Sequence, residues 1–207
     1  MNWTIELKKL YNHPERIVEN MQSVYNKCID NDFMYGKGWY SRANLFSLAL
    51  SENYGVSEMK AAGIIAALSP LKEWTLNKAM AEEFIRTKGK TCRHTSTQAL
   101  KARRILNYAS TKKDVEVSLG GLKTINFFNN IYDPSSKDHV TVDRHHIYLS
   151  LGWDAQACTP KQYEFIKENT IILANELDII PHELQSTLWV CWKRIKKDEE
   201  KTSQKEN

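Results

Sequence analysis

The sequence predicts an all-α fold, and three observations lead to that prediction. Apolar residues recur every three or four positions in most segments, which is the spacing of one face of a helix. Glycine, proline and small polar residues interrupt these segments after helical lengths. No segment alternates apolar and polar residues with the period of two that a half-buried strand shows. We therefore expect helices joined by short loops along the whole chain.

Residues that favour helix ends delimit the expected helices. Gly55 stops a helix that begins at Trp39, and Ser57 is a suitable N-cap for the next one. That next helix is rich in small apolar residues and ends before Pro70, so we expect it to be buried at the centre of the fold. The other expected helices span 1–12, 14–28, 71–87, 96–109, 112–117, 121–131, 143–151, 160–177 and 181–195. Loops are expected at 31–38, 88–95 and 133–139, and a frayed charged tail at 196–207.

The composition is typical of a globular protein, and the sequence favours neither a membrane-spanning nor a secreted protein. The 207 residues are 42% hydrophobic, which suffices for a sizeable core, and no apolar run is long enough to span a membrane. The N-terminus lacks the apolar core of a signal peptide, so we expect a cytoplasmic protein. A net charge of +4 permits nucleic-acid binding without requiring it. The cysteines lack metal-binding spacing, so we expect mostly buried, reduced thiols and no metal; they are Cys28, Cys92, Cys158 and Cys191.

The stretch 118–152 has the residues of a phosphate-binding hairpin. Gly120 and Gly121 precede a helix whose first turn carries Lys123. Glycine permits a tight backbone turn, and the N–H groups at a helix start can hold a phosphate. Asp143 has the chemistry of an N-cap for a later helix, which Gly152 closes. One lysine and one aspartate therefore stand at helix N-termini near a predicted phosphate site.

This stretch resembles the helix-hairpin-helix DNA glycosylases, the HhH-GPD superfamily. The residues that match its motifs are Leu119-Gly120-Gly121, Lys123-Thr124 and Val142-Asp143-Arg144-His145. Two earlier stretches also match: 67–79, where a Leu-Ser helix end is followed by Asn-Lys-Ala, and 101–105, which has the Lys-Ala-x-x-Ile pattern. The hairpin departs from the usual motif because Ser118 and Leu119 replace a proline and a glycine.

The resemblance implies an all-α, two-lobed fold that binds double-stranded DNA and excises a damaged or modified base. It implies a domain at 39–195, with its hairpin at about 112–131, and N-terminal helices at 1–38 that pack on the core. Many of these glycosylases hold an iron–sulfur cluster on four closely spaced cysteines, and this chain has no such set, so we expect no cluster and no other cofactor. We expect neither a membrane partner nor an obligate protein partner.

The resemblance assigns the chemistry to Asp143 and Lys123. A carboxylate stabilises the positive charge that develops on the sugar as the base leaves, which is the role implied for Asp143. A neutral lysine can attack the sugar carbon and form a Schiff base, which would make the glycosylase an abasic-site lyase as well as a hydrolase. The helix N-terminus and burial against Phe127 and Phe128 would favour the neutral amine of Lys123, whereas Asp143 would oppose it.

Further residues are expected to contact DNA. The DNA backbone would be held by Gly120, Gly121, Leu122, Thr124, Lys101 and Arg103. A flipped base would lie among aromatic faces and polar edges, and the residues expected in this pocket are Trp74, Asn77, Trp39, Tyr40, Arg144 and His145. Because His145 and His146 are adjacent and point to different faces of a helix, we expect one of the two to pack or hydrogen bond.

A narrower resemblance is to small uncharacterised phage-type proteins. It suggests a phage source, and hence the cytoplasm of a host, but supplies no activity. The residues that carry it are Trp39-Tyr40, Ala67-Leu68-Ser69-Pro70, Trp74, Asn77, Val140-Thr141 and Asp143-Arg144-His145.

Other interpretations stay open. Asp143 could be an N-cap only, Lys123 a surface lysine and the glycine pair an ordinary turn. The same scaffold could remodel a modified base in phage DNA without cleaving the sugar bond. A helical DNA-binding module without chemistry is the third hypothesis. The substitution Asp143→Asn separates this module from the two enzymes, because the module has no turnover to lose.

Overall fold

The computed structural model describes residue 11, residues 13–153 and residues 157–205 of the chain. These residues form helices and no strand, which confirms the all-α prediction. The helix predicted at 1–12 lies outside the described residues, apart from residue 11. In chain order the helices are α1 (Glu15–Tyr25), α2 (Asp30–Lys37), α3 (Trp39–Tyr54), α4 (Glu58–Ala67), α5 (Trp74–Arg86), α6 (Ser96–Tyr108), α7 (Lys112–Leu119), α8 (Leu122–Tyr132), α9 (Arg144–Leu151), α10 (Pro160–Glu176) and α11 (Pro181–Lys205).

The chain divides into two compact units. The central unit is Tyr40–Ser136, and the terminal unit combines Met1–Trp39 with Lys137–Asn207. Helices α4 to α8 belong to the central unit, and α1, α2, α9, α10 and α11 belong to the terminal unit. The division cuts across the range 39–195 that the sequence analysis treats as one domain, because helices from the two ends of the chain pack with one another.

Helix α4 is the core of the central unit, as its composition predicts. Every residue from 61 to 67 is buried, and α5, α6, α7 and α8 all contact the helix. Small side chains make this packing possible, because a Cβ at Gly63 would lie only 2.6 Å from Val115 Cγ1 of α7. Ser57 caps α4 by accepting a hydrogen bond from the backbone N–H of Lys60 (3.3 Å). The small residues therefore decide how closely α7 approaches α4.

Polar side chains attach α3 and α6 to the N-terminal end of α4. Asn44 Nδ2 on α3 donates to the carboxylate of Glu58 (2.7 Å) and to the carbonyl of Ile131 (2.9 Å). The ammonium of Lys60 donates to the carbonyl of Leu106 in the last turn of α6 (2.8 Å). A cation at that end also complements the helix dipole of α6. These bonds connect α3 and α6 to the first turn of α4, and α3 to the last turn of α8.

The prediction of a loop at 31–38 is wrong, because these residues form most of α2. Asp32 stabilises the start of the helix by accepting a hydrogen bond from the backbone N–H of Ile29 (3.1 Å). Gly36, which suggested a turn, instead lies where α2 crosses α11. Ser186 Oγ of α11 donates to the carbonyl of Gly36 (2.8 Å). The glycine therefore serves close packing between two helices and not a change of chain direction.

Helix α11 continues as far as Lys205, past residue 196 where the sequence predicts a frayed tail. Ion pairs between residues three apart lie along this stretch, at Lys196 with Glu199 (2.9 Å) and Lys201 with Asp198 (3.4 Å). Such pairs support a helix that has no apolar face to bury. Of the helices that the structure describes, α11 included, none combines the length and the apolar character needed to cross a membrane.

The four cysteines are unpaired, but their burial is less complete than the sequence analysis expects. Cys191 is buried, whereas Cys28, Cys92 and Cys158 are half-buried. Each of these three lies outside the helices, in a connecting segment. Neighbouring elements shield such a side chain on one side only, which explains the difference.

We expect the substitution Gly36→Ala to destabilise the protein by about 2 kcal/mol, because the packing of α2 on α11 cannot accept a methyl group. The new Cβ would lie 2.4 Å from the Cα of Thr187, which is backbone and cannot rotate away. Urea unfolding followed by circular dichroism measures the difference. Gly121→Ala is the control, since its Cβ would make an ordinary 3.5 Å contact with Thr124 Oγ1. Equal midpoints for the two variants would contradict the close crossing.

Candidate functional site

Helices α7 and α8 form a hairpin whose connection is the glycine pair, as the sequence predicts. A capping box opens α7, in which the side chains of Thr111 and Asp114 satisfy each other's backbone N–H groups. The helix ends at Gly120, whose φ of +71° lies in the left-handed region that favours glycine. Gly121 follows with an extended φ of −108° and is the N-cap of α8. The turn thus requires glycine at the first of the two positions.

The first turn of α8 has no side-chain cap. Gly121 has no side chain to accept a hydrogen bond, and Thr124 Oγ1 donates to the carbonyl of Gly121 (2.9 Å). Both glycines are exposed. Backbone N–H groups at an uncapped helix start, together with the positive end of the helix dipole, suit an anion such as phosphate. Leu122 and Thr124 stand in this turn, where the sequence analysis expects contacts to the DNA backbone.

Lys123 lies in the same turn and is exposed, so its expected burial against two phenylalanines is wrong. Phe128 is fully buried in the central unit. Phe127 meets the ring of Tyr40 edge-on, with centroids 6.1 Å apart. Both rings are taken up by packing inside the unit, while the lysine at the helix start extends into solvent. Its side chain therefore places positive charge beside the uncapped N–H groups of α8.

Two of the predicted DNA-binding cations are hydrogen bonded to carbonyl groups of the chain. Lys101 Nζ on α6 donates to the carbonyl of Leu119 in the last turn of α7 (2.6 Å). Arg103 Nε donates to the carbonyl of Gly89 (3.1 Å). Lys101 thus satisfies a carbonyl that α7 leaves open and complements the negative end of its dipole. The lysine positions the helix end next to Gly120, a structural role that the sequence analysis did not foresee.

Two of the six residues expected in a base pocket are core residues. Asn77 is 1% exposed, and its Nδ2 donates to the carbonyl of Ile65 in α4 (3.1 Å). Tyr40 is 3% exposed and packs on Phe127. Their burial favours a structural role over direct contact with a base. The sequence pattern alone could not separate these roles, because amides and aromatic rings serve both.

Trp74 differs from these two because it is half-buried, at the first residue of α5. Its ring meets Phe46 edge-on, with centroids 6.2 Å apart. The ammonium of Lys78 lies 5.8 Å from the Trp74 ring and 5.6 Å from the Phe46 ring, within the range of a cation–π interaction. The group places an aromatic pair and a cation at the start of α5, directly after the loop from α4.

The loop between α4 and α5 presents a fully exposed leucine. Leu71 is 101% exposed and has a φ of +59°, an uncommon backbone conformation for a residue with a side chain. Hydrogen bonds hold the turn around it, from the N–H of Lys72 to the carbonyl of Ser69 (3.1 Å) and between His94 Nε2 and the carbonyl of Pro70 (3.0 Å). The prediction of a helix that begins at residue 71 is therefore wrong at its start, because the helix begins at Trp74 and the proline before Leu71 precedes a turn. The loop thus holds an apolar side chain in solvent.

Asp143 is the N-cap of α9 in the terminal unit, as predicted. Its Oδ1 accepts a hydrogen bond from the backbone N–H of His146 (2.8 Å), and its side chain is half-buried. Within the part of the chain that the structure describes, Oδ2 has no hydrogen-bond donor. The carboxylate is therefore fixed through Oδ1, and Oδ2 can contact a ligand.

Tyr163 on α10 fixes the segment that leads into Asp143. Its hydroxyl donates to the carbonyl of Val140 (2.8 Å) and accepts from the backbone N–H of Val142 (3.1 Å). All three residues are buried. This contact could not be predicted from the sequence, because nothing in the local motif indicates a partner 21 residues away. The tyrosine makes the position of Asp143 depend on the packing of α10.

The residues around Asp143 divide between surface and core. Arg144 is exposed, and His145 is half-buried, as is Trp39 elsewhere in the terminal unit. His146 is fully buried and its Nε2 pairs with Thr170 Oγ1 (2.9 Å). Burial lowers the pKa of His146 to about 4, although the charge of Asp143 opposes this shift. The expectation that one of the two adjacent histidines packs inside is confirmed.

The candidate residues therefore belong to both units. The glycine pair, Lys123, Lys101, Arg103, Trp74 and Leu71 lie in the central unit. Asp143, Arg144, His145 and Trp39 lie in the terminal unit. The first set carries exposed donors, cations and an exposed apolar side chain, and the second carries the fixed carboxylate.

We expect Lys101→Met to lower the free energy of unfolding by about 1 kcal/mol, because the carbonyl of Leu119 loses its donor at the end of α7. Urea unfolding measures the change. Arg104→Met is the matched control, since Arg104 is an exposed cation on the same helix. A loss of DNA affinity at unchanged stability would show instead that Lys101 contacts only DNA.

Residues 4–196 match the model of a family described as a family of unknown function, DUF7178. No curated protein and no solved structure matches the chain. The matched range includes every candidate residue above and most of both units. The chain therefore belongs to the DUF7178 family.

Proposed function

We propose that the chain is a DNA glycosylase, an enzyme that binds double-stranded DNA and excises a damaged or modified base. The observation that carries the proposal is the α7–α8 hairpin, with its left-handed Gly120 and the uncapped first turn of α8. The order of this hairpin and the later Asp143 N-cap also agrees with the resemblance to the HhH-GPD superfamily.

The hairpin binds a phosphate of the DNA backbone. The exposed start of α8 offers N–H donors and the positive end of a helix dipole. Lys123 in the same turn adds an ammonium that can pair with the phosphate charge. A contact of this kind positions the protein on DNA without reading its sequence, which is what an enzyme that searches for a single base requires.

Asp143 stabilises the sugar as the bond to the base breaks. Positive charge develops on the sugar ring when the base leaves, and a fixed carboxylate near that carbon lowers the energy of the transition state. The bonds to Asp143 fit this role, because the His146 N–H holds Oδ1 while Tyr163 fixes the preceding segment. A fixed carboxylate needs no reorganisation during the reaction, which increases its effect.

Leu71 assists the extrusion of the target base. A base must leave the stack before an enzyme can reach its bond to the sugar, and apolar side chains inserted between base pairs promote this step. Leu71 is fully exposed and stands on a turn fixed by its own hydrogen bonds. The side chain buries nothing in the folded protein, so its apolar surface is available to the unstacked bases.

Lys123 gives the enzyme its abasic-site lyase activity. The amine attacks the aldehyde carbon of the opened sugar, water leaves, and the resulting Schiff base permits elimination of the 3′ phosphate. The lysine is exposed at the hairpin, so a DNA strand bound there meets it directly. This role and the phosphate contact concern the same side chain.

The first test is a borohydride trap on duplex DNA that carries one abasic site. We expect a covalent adduct with the unaltered chain and none with Lys123→Ala. The control is Lys112→Ala, which removes an exposed lysine on α7 and should behave like the unaltered chain.

The second test incubates the protein with duplexes that carry uracil, 8-oxoguanine or an alkylated adenine and detects released bases by mass spectrometry. We expect Asp143→Asn to reduce release by roughly a hundred-fold or more. Asparagine can still cap α9, so the fold is retained.

Each other outcome changes the proposal in a defined way. DNA binding without an adduct, but with base release, leaves a glycosylase that uses Asp143 alone. A changed mass of the base inside intact DNA would identify an enzyme that remodels the base. No base release from any substrate, by the unaltered chain or by Asp143→Asn, would leave a DNA-binding module without chemistry. Binding that does not weaken with salt would exclude a phosphate contact altogether.

We expect Leu71→Ala to slow base release roughly ten-fold, because the variant loses the apolar wedge that promotes extrusion. Its melting temperature should not change, since Leu71 is fully exposed. Leu45→Ala is the control, because Leu45 is a 63% exposed leucine on α3. Fluorescence of 2-aminopurine opposite the target site measures extrusion directly. Equal rates for the two variants would remove Leu71 from the mechanism.

A further inference from the structure

Two cysteines from distant parts of the chain meet in the terminal unit. Cys28 lies in the connection between α1 and α2, and Cys191 lies on α11. Their sulfur atoms and a carboxylate oxygen of Asp32 all lie within 4.8 Å of one another. Nothing in the proposed function uses this cluster.

The two thiols point at the same acceptor. Cys28 Sγ donates to the carbonyl of Val24 (3.6 Å), and Cys191 Sγ donates to the same carbonyl (3.5 Å). Val24 belongs to the last turn of α1, and its carbonyl also accepts a hydrogen bond from the backbone N–H of Lys27 (3.0 Å). The shared acceptor holds the two sulfur atoms side by side.

Arg194 divides the cluster into an ion pair and a thiol pair. Its guanidinium donates to both oxygens of Asp32 (2.8 to 3.2 Å) and from Nη2 to Cys191 Sγ (3.5 Å). Burial would raise the pKa of the Asp32 carboxyl, but the hydrogen bonds from Arg194 and Ile29 outweigh it and hold the pKa below the ordinary 3.8. Both oxygens of Asp32 are thus occupied, and a positive group stands beside them. This arrangement disfavours a bound cation and leaves the thiols to react with each other.

The two thiols have opposite tendencies to ionise. The neighbouring Cys28 thiol lowers the pKa of Cys191, and the charge of Arg194 acts in the same direction, against burial and Asp32. The pKa of Cys28 is raised by the neighbouring Cys191 sulfur and by burial. One sulfur is therefore the better nucleophile, and the other remains a thiol beside it.

We infer that Cys28 and Cys191 form a reversible disulfide, an oxidation-controlled cross-link between the α1–α2 connection and α11. The half-buried Cys28 gives a small oxidant access to the pair. Cys28 also lies outside the helices, so its backbone can move by the small distance that bond formation requires. The cross-link would fasten the α1–α2 connection covalently to α11, in addition to the packing, the Asp32–Arg194 ion pair and the Ser186–Gly36 hydrogen bond.

A peroxide is the oxidant that suits this site. The Cys191 thiolate attacks one oxygen of hydrogen peroxide, the O–O bond breaks, and a sulfenic acid forms. The released hydroxide takes up the proton that Cys191 had lost and becomes water. The Cys28 sulfur then attacks the sulfenic sulfur, and its proton leaves with the displaced hydroxide as a second water. Two thiols and one peroxide thus give one disulfide and two waters.

The test treats the full-length protein with hydrogen peroxide, blocks the remaining thiols with N-ethylmaleimide and maps the peptides by mass spectrometry. We expect one cross-linked pair that contains Cys28 and Cys191, lighter by two hydrogens and released by dithiothreitol. Cys92 and Cys158 should carry the blocking group. We also expect the oxidised protein to melt about 10 °C higher than the reduced one, because the cross-link restricts a long loop of the unfolded chain.

Single serine variants supply the controls. Cys28→Ser and Cys191→Ser should each abolish the cross-linked pair, and Cys92→Ser should retain it. Cys28→Ser is the variant that keeps the test decisive, because Cys28 is only half-buried and its replacement does not disturb the core. A sulfinic acid at Cys191 without any cross-link would overturn the inference. Cross-links distributed among all four cysteines, or a metal ion that protects both thiols, would overturn it as well.

Discussion

The central unit depends on the small volume of the side chains in α4. Four other helices contact α4, and this is possible because its buried face consists of alanine, glycine and isoleucine residues. Gly63 permits the close approach of α7, because a Cβ at this position would lie 2.6 Å from Val115 Cγ1. The first helix of the hairpin thus packs directly on the core, and the last residues of α4 lead into the loop that presents Leu71. The hairpin and the Leu71 loop, which we propose contact DNA, are therefore both positioned by one buried helix.

Cations near the proposed DNA surface can have a structural role, because they form hydrogen bonds within the fold. Lys101 and Arg103 each bind a backbone carbonyl of the central unit, and the bond from Lys101 closes the end of α7 immediately before Gly120. Lys123 is exposed in the first turn of α8, at the hairpin itself. Counting basic residues would have treated all three alike. Only their acceptors separate the residues that shape the turn from the residue that offers its charge to a ligand.

The features that could be predicted from the sequence are those with local causes. Most helix positions, the hairpin and the N-cap role of Asp143 follow from residues within a few positions of one another. Gly36 misled the prediction, because a glycine required by a helix crossing and a glycine required by a turn look alike until Thr187 is found beside it. The contact of Tyr163 with the segment before Asp143 and the burial of Asn77 also depend on distant segments, so the sequence did not predict them. Contacts between distant segments decide what a suggestive residue does, and a single sequence does not contain them.

The buried imidazole of His146 has a consequence for the behaviour of the protein in acid. The unfolded chain binds a proton at this residue below its ordinary pKa of 6.5, whereas the folded chain does so only near pH 4. Between these values the unfolded state binds more protons, so stability falls as the pH falls through this window and is fully present above it. His146 lies in the first turn of α9, three residues after Asp143. The imidazole of His146 is thus uncharged at neutral pH. Mild acidification lowers the stability of the fold before most carboxylates are protonated.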